Sequence, residues 1–139
     1  MADTSNRVRE SFAQQQFMKT LGASLLSVKP GAVEIGVPFR ADLTQQNGFI
    51  HAGVITSVLD SACGYAALSV APEGAGVLSV EFKVNLLSPA VGERFVARAQ
   101  VKRAGRRVTV CAADAFAING GEEKLVATML ATVMTMNER

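Results

Sequence analysis

Hydrophobic and polar positions along the chain repeat with two periods, one helical and one extended. Between Val54 and Leu68, apolar residues recur at the i, i+1, i+4, i+5 spacing of an α-helix, and no proline interrupts them. The other faces of this segment carry small or weakly polar residues, as expected for a helix surrounded by protein. Asp60 is the exception, because a carboxylate is costly to remove from water unless it is paired or works in a cleft. The pattern predicts a buried central helix whose Asp60 lies either on a wetted stripe or in a functional site.

Extended segments are predicted on both sides of that helix. Before it, residues 21–28 and 33–39 flank a Lys-Pro-Gly turn and predict a hairpin. After it come four extended segments, at residues 77–87, 93–103, 106–118 and 124–136. We expect these four to form a meander, in which the first alternates strictly between apolar and polar residues and the last, apolar on both faces, is a central strand. The expected fold is α+β, with a curved antiparallel sheet wrapped around one long central helix.

The length of the chain, 139 residues, is that of a single domain. Residues 1–19 predict an N-terminal helical segment, with Ser5 as its N-cap, and residues 20–139 predict one α+β domain. The N-terminus lacks the apolar core of a secretory signal. Cys63 and Cys111 lie in apolar surroundings, and one pair of cysteines is no disulfide framework, so both thiols are expected to be reduced. These features predict a cytoplasmic protein.

Charge and composition argue against several classes of function. The net charge is only +2, and no basic run is interleaved with aromatic residues, so nucleic acid is not an expected partner. Residues 51–70 are the only stretch apolar enough to be considered a membrane span, but Asp60, His51 and several hydroxyls within it argue against one. A single histidine cannot assemble a metal site, and no phosphate-binding loop or nucleophile elbow occurs. We therefore expect no metal and no cofactor.

The loop before the central helix carries the most specific pattern in the chain. It reads Gln45-x-x-Gly48-x-x-His51-Ala52-Gly53, with Asp60 and Gly64 in the helix, Leu78 to Val84 in the next strand, and Ser88-Pro89-Ala90 beyond it. Over about residues 20–136 this arrangement resembles the hotdog-fold acyl-CoA thioesterases of the PaaI-like, phenylacetate-pathway type. The resemblance implies a hotdog fold, an acyl-CoA substrate, and a homodimer or homotetramer whose sites are shared between subunits. The chain departs from the family pattern at Ala52, where glycine is usual.

Thioester hydrolysis also fits the physical chemistry of this segment. The amides of Ala52 and Gly53, at the positive end of a buried helix, are natural donors to an oxyanion. Asp60 would be the nucleophile or the general base for water. Eight residues of helix span roughly 12 Å, too far for one chain's Ala52 and Asp60 to reach the same carbonyl. Two helices packed antiparallel about a two-fold axis would bring them together, so we expect a homo-oligomer with sites at the subunit interface.

Other polar residues near this segment have two interpretations each. Gln45 could orient the attacking water or the carboxylate, or its amide could cap the loop. His51 could be a general base, but we prefer that it fixes the loop by bonding backbone, because a helix N-terminus disfavours imidazolium. Asn47 and Gly48 of the same loop are candidate substrate-binding residues. Ser79 falls where the family often has a hydroxyl near the carboxylate, yet strand alternation favours a surface serine.

Arg103, Arg106 and Arg107 cluster with Lys102 around a predicted hairpin turn. They either solvate the tip of the hairpin or bind the phosphates of coenzyme A. Two other functions stay open on the same fold: a non-catalytic acyl-CoA binding protein, in which Ala52 narrows the oxyanion site, and a hydratase, whose usual arrangement of Asp and His is not evident. Aryl and medium-chain acyl groups both fit the apolar residues that are candidates for the pocket. These residues are Phe49, Val54, Val58, Leu59 and Tyr65.

Overall fold

Three helices and six strands make up the structure, a computed structural model that describes residues 4–137. The outermost residues of the two predicted units, 1–3 and 138–139, lie outside the described part. The helices are α1 (Thr4–Gln14), α2 (Gln16–Leu21) and α3 (Ala52–Val70), and a 3₁₀ turn lies at Ala41–Leu43. The strands are β1 (Ser24–Lys29), β2 (Ala32–Pro38), β3 (Gly76–Leu86), β4 (Arg94–Ala104), β5 (Val108–Asn119) and β6 (Glu122–Met136).

All six strands form one antiparallel sheet in the order β1-β2-β4-β5-β6-β3. The predicted hairpin is β1–β2, whose turn places Gly31 at φ +78°, a left-handed conformation that glycine adopts without strain. The sheet packs against α3, whose residues Ile55, Leu59 and Ala66 are almost completely buried. The α+β prediction, one long helix against an antiparallel sheet, is confirmed.

The predicted four-strand meander is wrong in one respect. Strands β4, β5 and β6 do form a meander, and β6 is a central strand as predicted. Strand β3, however, pairs with β6 instead of β4 and forms a free edge of the sheet. Sequential strands are neighbours only about two-thirds of the time, and the apolar faces of β6 favour a neighbour on each side. The chain therefore crosses from one edge of the sheet to its other half between Leu86 and Arg94.

The N-terminal segment forms two helices instead of the single one predicted. Gln15 has extended dihedral angles and separates α1 from α2, and Ser5 lies inside α1, so it is not the N-cap. Val8 is fully buried, and the Phe12 ring packs 5.8 Å from the ring of Tyr65 in α3. Helix α1 therefore packs through its apolar side chains against the C-terminal half of α3.

Arg7 of α1 caps the C-terminal end of α3. Its guanidinium donates to the carbonyl oxygens of Leu68 at 2.6 Å, Ala71 at 2.8 Å and Pro72 at 2.9 Å. The last carbonyls of a helix have no partner within the helix and carry partial negative charge, so a cation is stabilising there. The Arg7 Nε is buried and makes no hydrogen bond within residues 4–137.

By length and composition α3 could cross a membrane, but just over half of it is buried inside the fold. Its burial against the sheet explains its apolar character, because a helix covered on most sides must be apolar on most sides. The residues of α3 that stay partly exposed include Asp60, Ser61 and Gly64. They form one stripe on the side of α3 that faces the N-terminal end of β3.

Candidate active site

The loop that leads into α3 is closed by its own polar groups. The Gln45 side-chain oxygen accepts hydrogen bonds from the amides of Asn47 at 2.5 Å and Phe49 at 3.3 Å. The Gln45 amide donates to the Phe49 carbonyl at 2.8 Å, and Gly48 takes φ +88° to make the turn. Gln45 thus caps the loop with its Oε1, while its Nε2 makes no hydrogen bond to residues 4–137.

His51 is the N-cap of α3. Its backbone is extended, with φ −60° and ψ 138°, and its Nδ1 accepts a hydrogen bond from the Gly53 amide at 2.7 Å. An acceptor nitrogen of a neutral imidazole carries no proton, so the proton belongs to Nε2. A Cβ on Gly53 would lie 2.9 Å from the His51 Nδ1, so a larger residue there would require the His51 side chain to shift. The His51 side chain thus bonds the backbone at the start of α3, as the preferred prediction for this residue had it.

Of the two amides predicted as oxyanion donors, only that of Ala52 is open. The Gly53 hydrogen is already donated to His51. The Ala52 amide, at the first position of α3, makes no hydrogen bond within residues 4–137. Ala52 lines a cavity of about 510 Å³ together with the Gln45 and Phe49 side chains of the loop. An unpaired amide at a helix N-terminus that faces a cavity can receive a negatively charged oxygen.

Asp60 lies in the middle of α3 and forms a hydrogen bond to strand β3 of the sheet. The Ser79 hydroxyl donates to its Oδ1 at 2.7 Å. Strict alternation predicted Ser79 on the opposite side of β3, and that preference is wrong. A bulge between Ser79 and Glu81 shifts the register with β6 by one residue, so Ser79 and Phe82 both oppose buried residues of β6 and face α3.

A second cavity, of about 740 Å³, contains Asp60. The charged side chains in its lining are Asp60 and Arg7. Its polar neutral side chains come from β3, α3 and the N-terminal helical segment, namely Ser79, Ser61, Tyr65, Ser11 and Gln15. The two residues from the N-terminal segment were missed from the sequence, because nothing in a weakly amphipathic N-terminal helix indicates which element it covers.

Within one chain the two halves of the predicted site stay apart. Ala52 and Asp60 line different cavities, and eight residues of helix separate them by roughly 12 Å. Of the apolar residues predicted to line a pocket, Phe49 lines the first cavity and Tyr65 the second. The remaining three are buried in the core against the sheet and line neither cavity: Val54, Val58 and Leu59.

The arginines predicted to bind phosphate are exposed at the tip of the β4–β5 hairpin. Arg103, Arg106 and Arg107 line neither cavity, and their side chains make no hydrogen bond or ion pair within residues 4–137. The Thr135 amide donates to the Arg107 carbonyl at 2.7 Å, and Thr135 pairs with Val77 of the Asp60 cavity. The three arginines therefore lie at the same end of the sheet as the Asp60 cavity, and strand β6 separates them from β3.

The two cysteines are buried and unpaired by a disulfide. Burial raises the pKa of the Cys111 thiol to about 11. Burial also raises the pKa of the Cys63 thiol, and the nearby Cys111 and Asp60 raise it further. Thiols with raised pKa values are poor nucleophiles at neutral pH. Among residues 4–137, no group of three or more His, Cys, Asp or Glu side chains lies close enough to hold a metal ion.

Comparison with known proteins identifies the family. Residues 47–124, more than half of the chain, match the family model of the thioesterase superfamily. A thioesterase family protein from Silicibacter pomeroyi, with a known crystal structure, is 54% identical and has a TM-score of 0.94. The match covers 96% of this chain and 98% of that protein. The chain belongs to the thioesterase superfamily. Membership supports a hydrolase that acts on thioesters.

More distantly related solved structures share the fold. The PaaI protein of the E. coli phenylacetic acid degradation operon is 20% identical, with a TM-score of 0.87 over 97% of this chain and 94% of that one. A thioesterase from Haemophilus influenzae is 21% identical, with a TM-score of 0.84 over 99% of this chain and 92% of that one. The hotdog fold and the PaaI-like thioesterase family predicted from the loop, the helix and the following strand are confirmed.

Proposed function

We propose that this thioesterase hydrolyses an aryl- or medium-chain acyl-CoA to the free acid and coenzyme A. The observation that carries the proposal is the Asp60 carboxylate, held by the Ser79 hydroxyl at 2.7 Å inside a cavity. The hydroxyl occupies Oδ1 and leaves Oδ2 to accept the proton of a water molecule. A positioned carboxylate at the wall of a cavity is the group that a hydrolase needs as general base or nucleophile.

The proposed reaction uses the open Ala52 amide as the oxyanion donor. With Asp60 as base, it takes a proton from water while the water oxygen bonds to the thioester carbon. The carbonyl oxygen becomes an oxyanion, which the Ala52 amide stabilises. The oxyanion then collapses, the carbon–sulfur bond breaks, and Asp60 returns the proton to the leaving thiolate. Direct attack by Asp60, through an anhydride that water hydrolyses, uses the same two groups.

Pairing of two β3 edges would unite the two cavities. β3 is an edge strand of 11 residues, and Phe82 and Leu86, which face α3, are 42% and 56% exposed. A long unpaired edge with apolar side chains invites pairing with a second strand. Antiparallel pairing sets the Ser79 end of one β3 beside the Leu86 end of the other, so one subunit's Asp60 approaches the partner subunit's Ala52. This supports a homodimer, alone or within a homotetramer, with two shared sites.

Substrate recognition is assigned to two further regions. We propose that Asn47 and Gly48 of the loop contact the substrate near the Ala52 cavity, which the neighbouring Gln45 and Phe49 line. Arg103, Arg106 and Arg107 are exposed and leave their guanidinium forks available to phosphate oxygens of coenzyme A. Reduced thiols at both cysteines agree with the proposed cytoplasmic location.

The test is release of free thiol from aryl and straight-chain acyl-CoA esters by the wild type and by Asp60→Asn. We expect the wild type to turn over and the variant to lose at least ~100-fold in kcat, as for removal of a general base. Asp114→Asn is the matched control, because Asp114 also accepts a hydroxyl hydrogen bond at 2.7 Å, from Thr128, but lines a different cavity from those of Ala52 and Asp60. If the wild type binds the esters but does not hydrolyse them, the proposed hydrolysis is wrong and the alternative of a non-catalytic acyl-CoA binding protein is favoured.

A further inference from the structure

The Asp60 cavity has a polar wall that the proposed hydrolysis does not use. From α3 it is lined by Asp60, Ser61, Gly64, Tyr65 and Leu68, which follow the spacing of a single helix face. An acyl group whose carbonyl sits at Asp60 would extend along this face. Five residues further on, roughly 7.5 Å along the helix, it would reach Tyr65.

The hydroxyl of Tyr65 is held by Ser11 of α1 and by Gln15, the residue that follows α1. The Gln15 Nε2 donates to it at 2.9 Å, and the Ser61 hydroxyl donates to the Gln15 Oε1 at 3.3 Å. The Ser11 hydroxyl also donates to the Tyr65 oxygen, at a longer distance of 3.4 Å. Because a phenol carries one hydrogen and Gln15 already donates to the oxygen, the Tyr65 hydrogen is available to another acceptor. Tyr65 is only 8% exposed and is one of the residues that line the cavity.

The middle of the same face offers space. A Cβ built on Gly64 would meet nothing within 4 Å, although Gly64 lies between the polar side chains of Asp60 and Tyr65. Among residues 4–137 the cation in the lining is Arg7, whose guanidinium donates to three backbone carbonyls at the end of α3 and whose buried Nε makes no hydrogen bond. The other side-chain donors along this face are neutral hydroxyl and amide groups, which can donate to an uncharged oxygen.

We propose that this face is the acyl-binding part of the site and that Tyr65, positioned by Gln15, selects acyl groups with an uncharged oxygen near their far end. This inference rests on the proposed thioesterase function. The acyl chain lies over Gly64, and its distal hydroxyl or carbonyl oxygen accepts the Tyr65 hydrogen. An unsubstituted alkyl group of the same length leaves the buried phenol without that partner, and an unpaired polar group disfavours the wrong substrate.

The test compares hexanoyl-CoA with 6-hydroxyhexanoyl-CoA, whose oxygen lies at about the required distance. We expect the wild type to favour the hydroxylated ester by about tenfold in kcat/KM, the scale of one hydrogen bond. Tyr65→Phe keeps the ring that packs on Phe12 and removes the hydroxyl, so the ratio should fall to within about twofold. Ser57→Ala is the control on α3, because within residues 4–137 the Ser57 hydroxyl bonds only the Gly53 carbonyl of its own helix, and this variant should leave the ratio unchanged.

Each outcome bears on the inference separately from the hydrolysis. If the wild type hydrolyses both esters equally well, or Tyr65→Phe keeps the preference, the inference is wrong and the thioesterase proposal stands. If the wild type hydrolyses neither ester, calorimetry measures the binding of the same two esters. Tighter binding of the hydroxylated ester that Tyr65→Phe abolishes supports the inference in the absence of catalysis. Equal binding of the two esters, or no binding, overturns the inference. Gln15→Met replaces Tyr65→Phe if the latter fails to fold, and it should also reduce the preference.

Discussion

The two ends of the proposed site are built in opposite ways. At the start of α3 the polar side chains contact their own neighbours: Gln45 bonds residues two and four positions away, and His51 bonds Gly53. Around Asp60 the contacts join distant parts of the chain, with Ser79 19 residues away and Gln15 50 residues from Tyr65. One end is a local motif that forms with its helix, and the other exists only when the sheet and α1 are in place.

The two ends of the proposed site also differ in the kind of group that each leaves open for the reaction. At the local end the Gln45 and His51 side chains each use an acceptor atom to shape the loop, and the group left open at the helix N-terminus is a backbone amide, that of Ala52. At the long-range end the group left open is a side chain, the Asp60 carboxylate, held by one hydroxyl. Substitutions at the first end must therefore target the backbone, and those at the second end must target side chains.

The largest effect is expected from removing the Ala52 amide hydrogen. Proline is tolerated at the first position of a helix, and His51 already has the extended dihedral angles that a residue before proline needs. Ala52→Pro should fold normally and lose about 10²–10³-fold in kcat, as for loss of one oxyanion donor. Steady-state thiol release measures this effect. Ala52→Gly, which keeps the amide and removes the methyl group, should retain activity, and equal activity of the proline variant would exclude Ala52 as donor.

Subunit hybrids extend this prediction to the shared site. Ala52→Pro and Asp60→Asn homodimers should each be inactive. Co-expressed, they should regain about a quarter of the wild-type activity, because roughly half of the dimers are hybrids with one intact site each. Hybrids that stay inactive would contradict a site built from two chains.

Ser79 is expected to have a moderate effect as a positioning residue. Ser79→Ala removes the hydroxyl that holds the Asp60 Oδ1, so kcat should fall about tenfold while KM stays within about twofold. Ser79→Thr keeps the hydroxyl and should recover most of the loss. A change confined to KM, or a threonine variant as slow as the alanine variant, would show that Ser79 does not orient the carboxylate.

The smallest effect is expected at the N-cap, where the contact is structural. His51→Ala removes the acceptor of the Gly53 amide and should lower the free energy of unfolding by about 1 kcal/mol, as for other N-cap losses. His51→Asn supplies another side-chain acceptor and should restore most of that stability. Chemical denaturation measures both variants. A loss of kcat by ~100-fold in both, with stability unchanged, would instead make His51 part of the chemistry.

Much of the fold could be predicted from periodicity and turn chemistry. The start of α3 is specified by Asn-Gly, the N-cap at His51 and the apolar spacing that follows, all within a few residues. The β1–β2 hairpin and the meander of β4, β5 and β6 follow from alternation and glycine turns in the same way. The single N-terminal helix was wrong because the break at Gln15 has no proline or glycine to mark it.

The sequence by itself determined most of the elements and the loop that leads into α3, and it identified Ala52 and Asp60 as candidates for the proposed chemistry. Only the tertiary structure decided that β3 lies at the sheet edge, that its bulge turns Ser79 toward Asp60, and that α1 brings Gln15 to Tyr65. The physical reason is range: caps and turns are settled by neighbouring residues, whereas strand order, register and helix docking depend on the packing of the whole core.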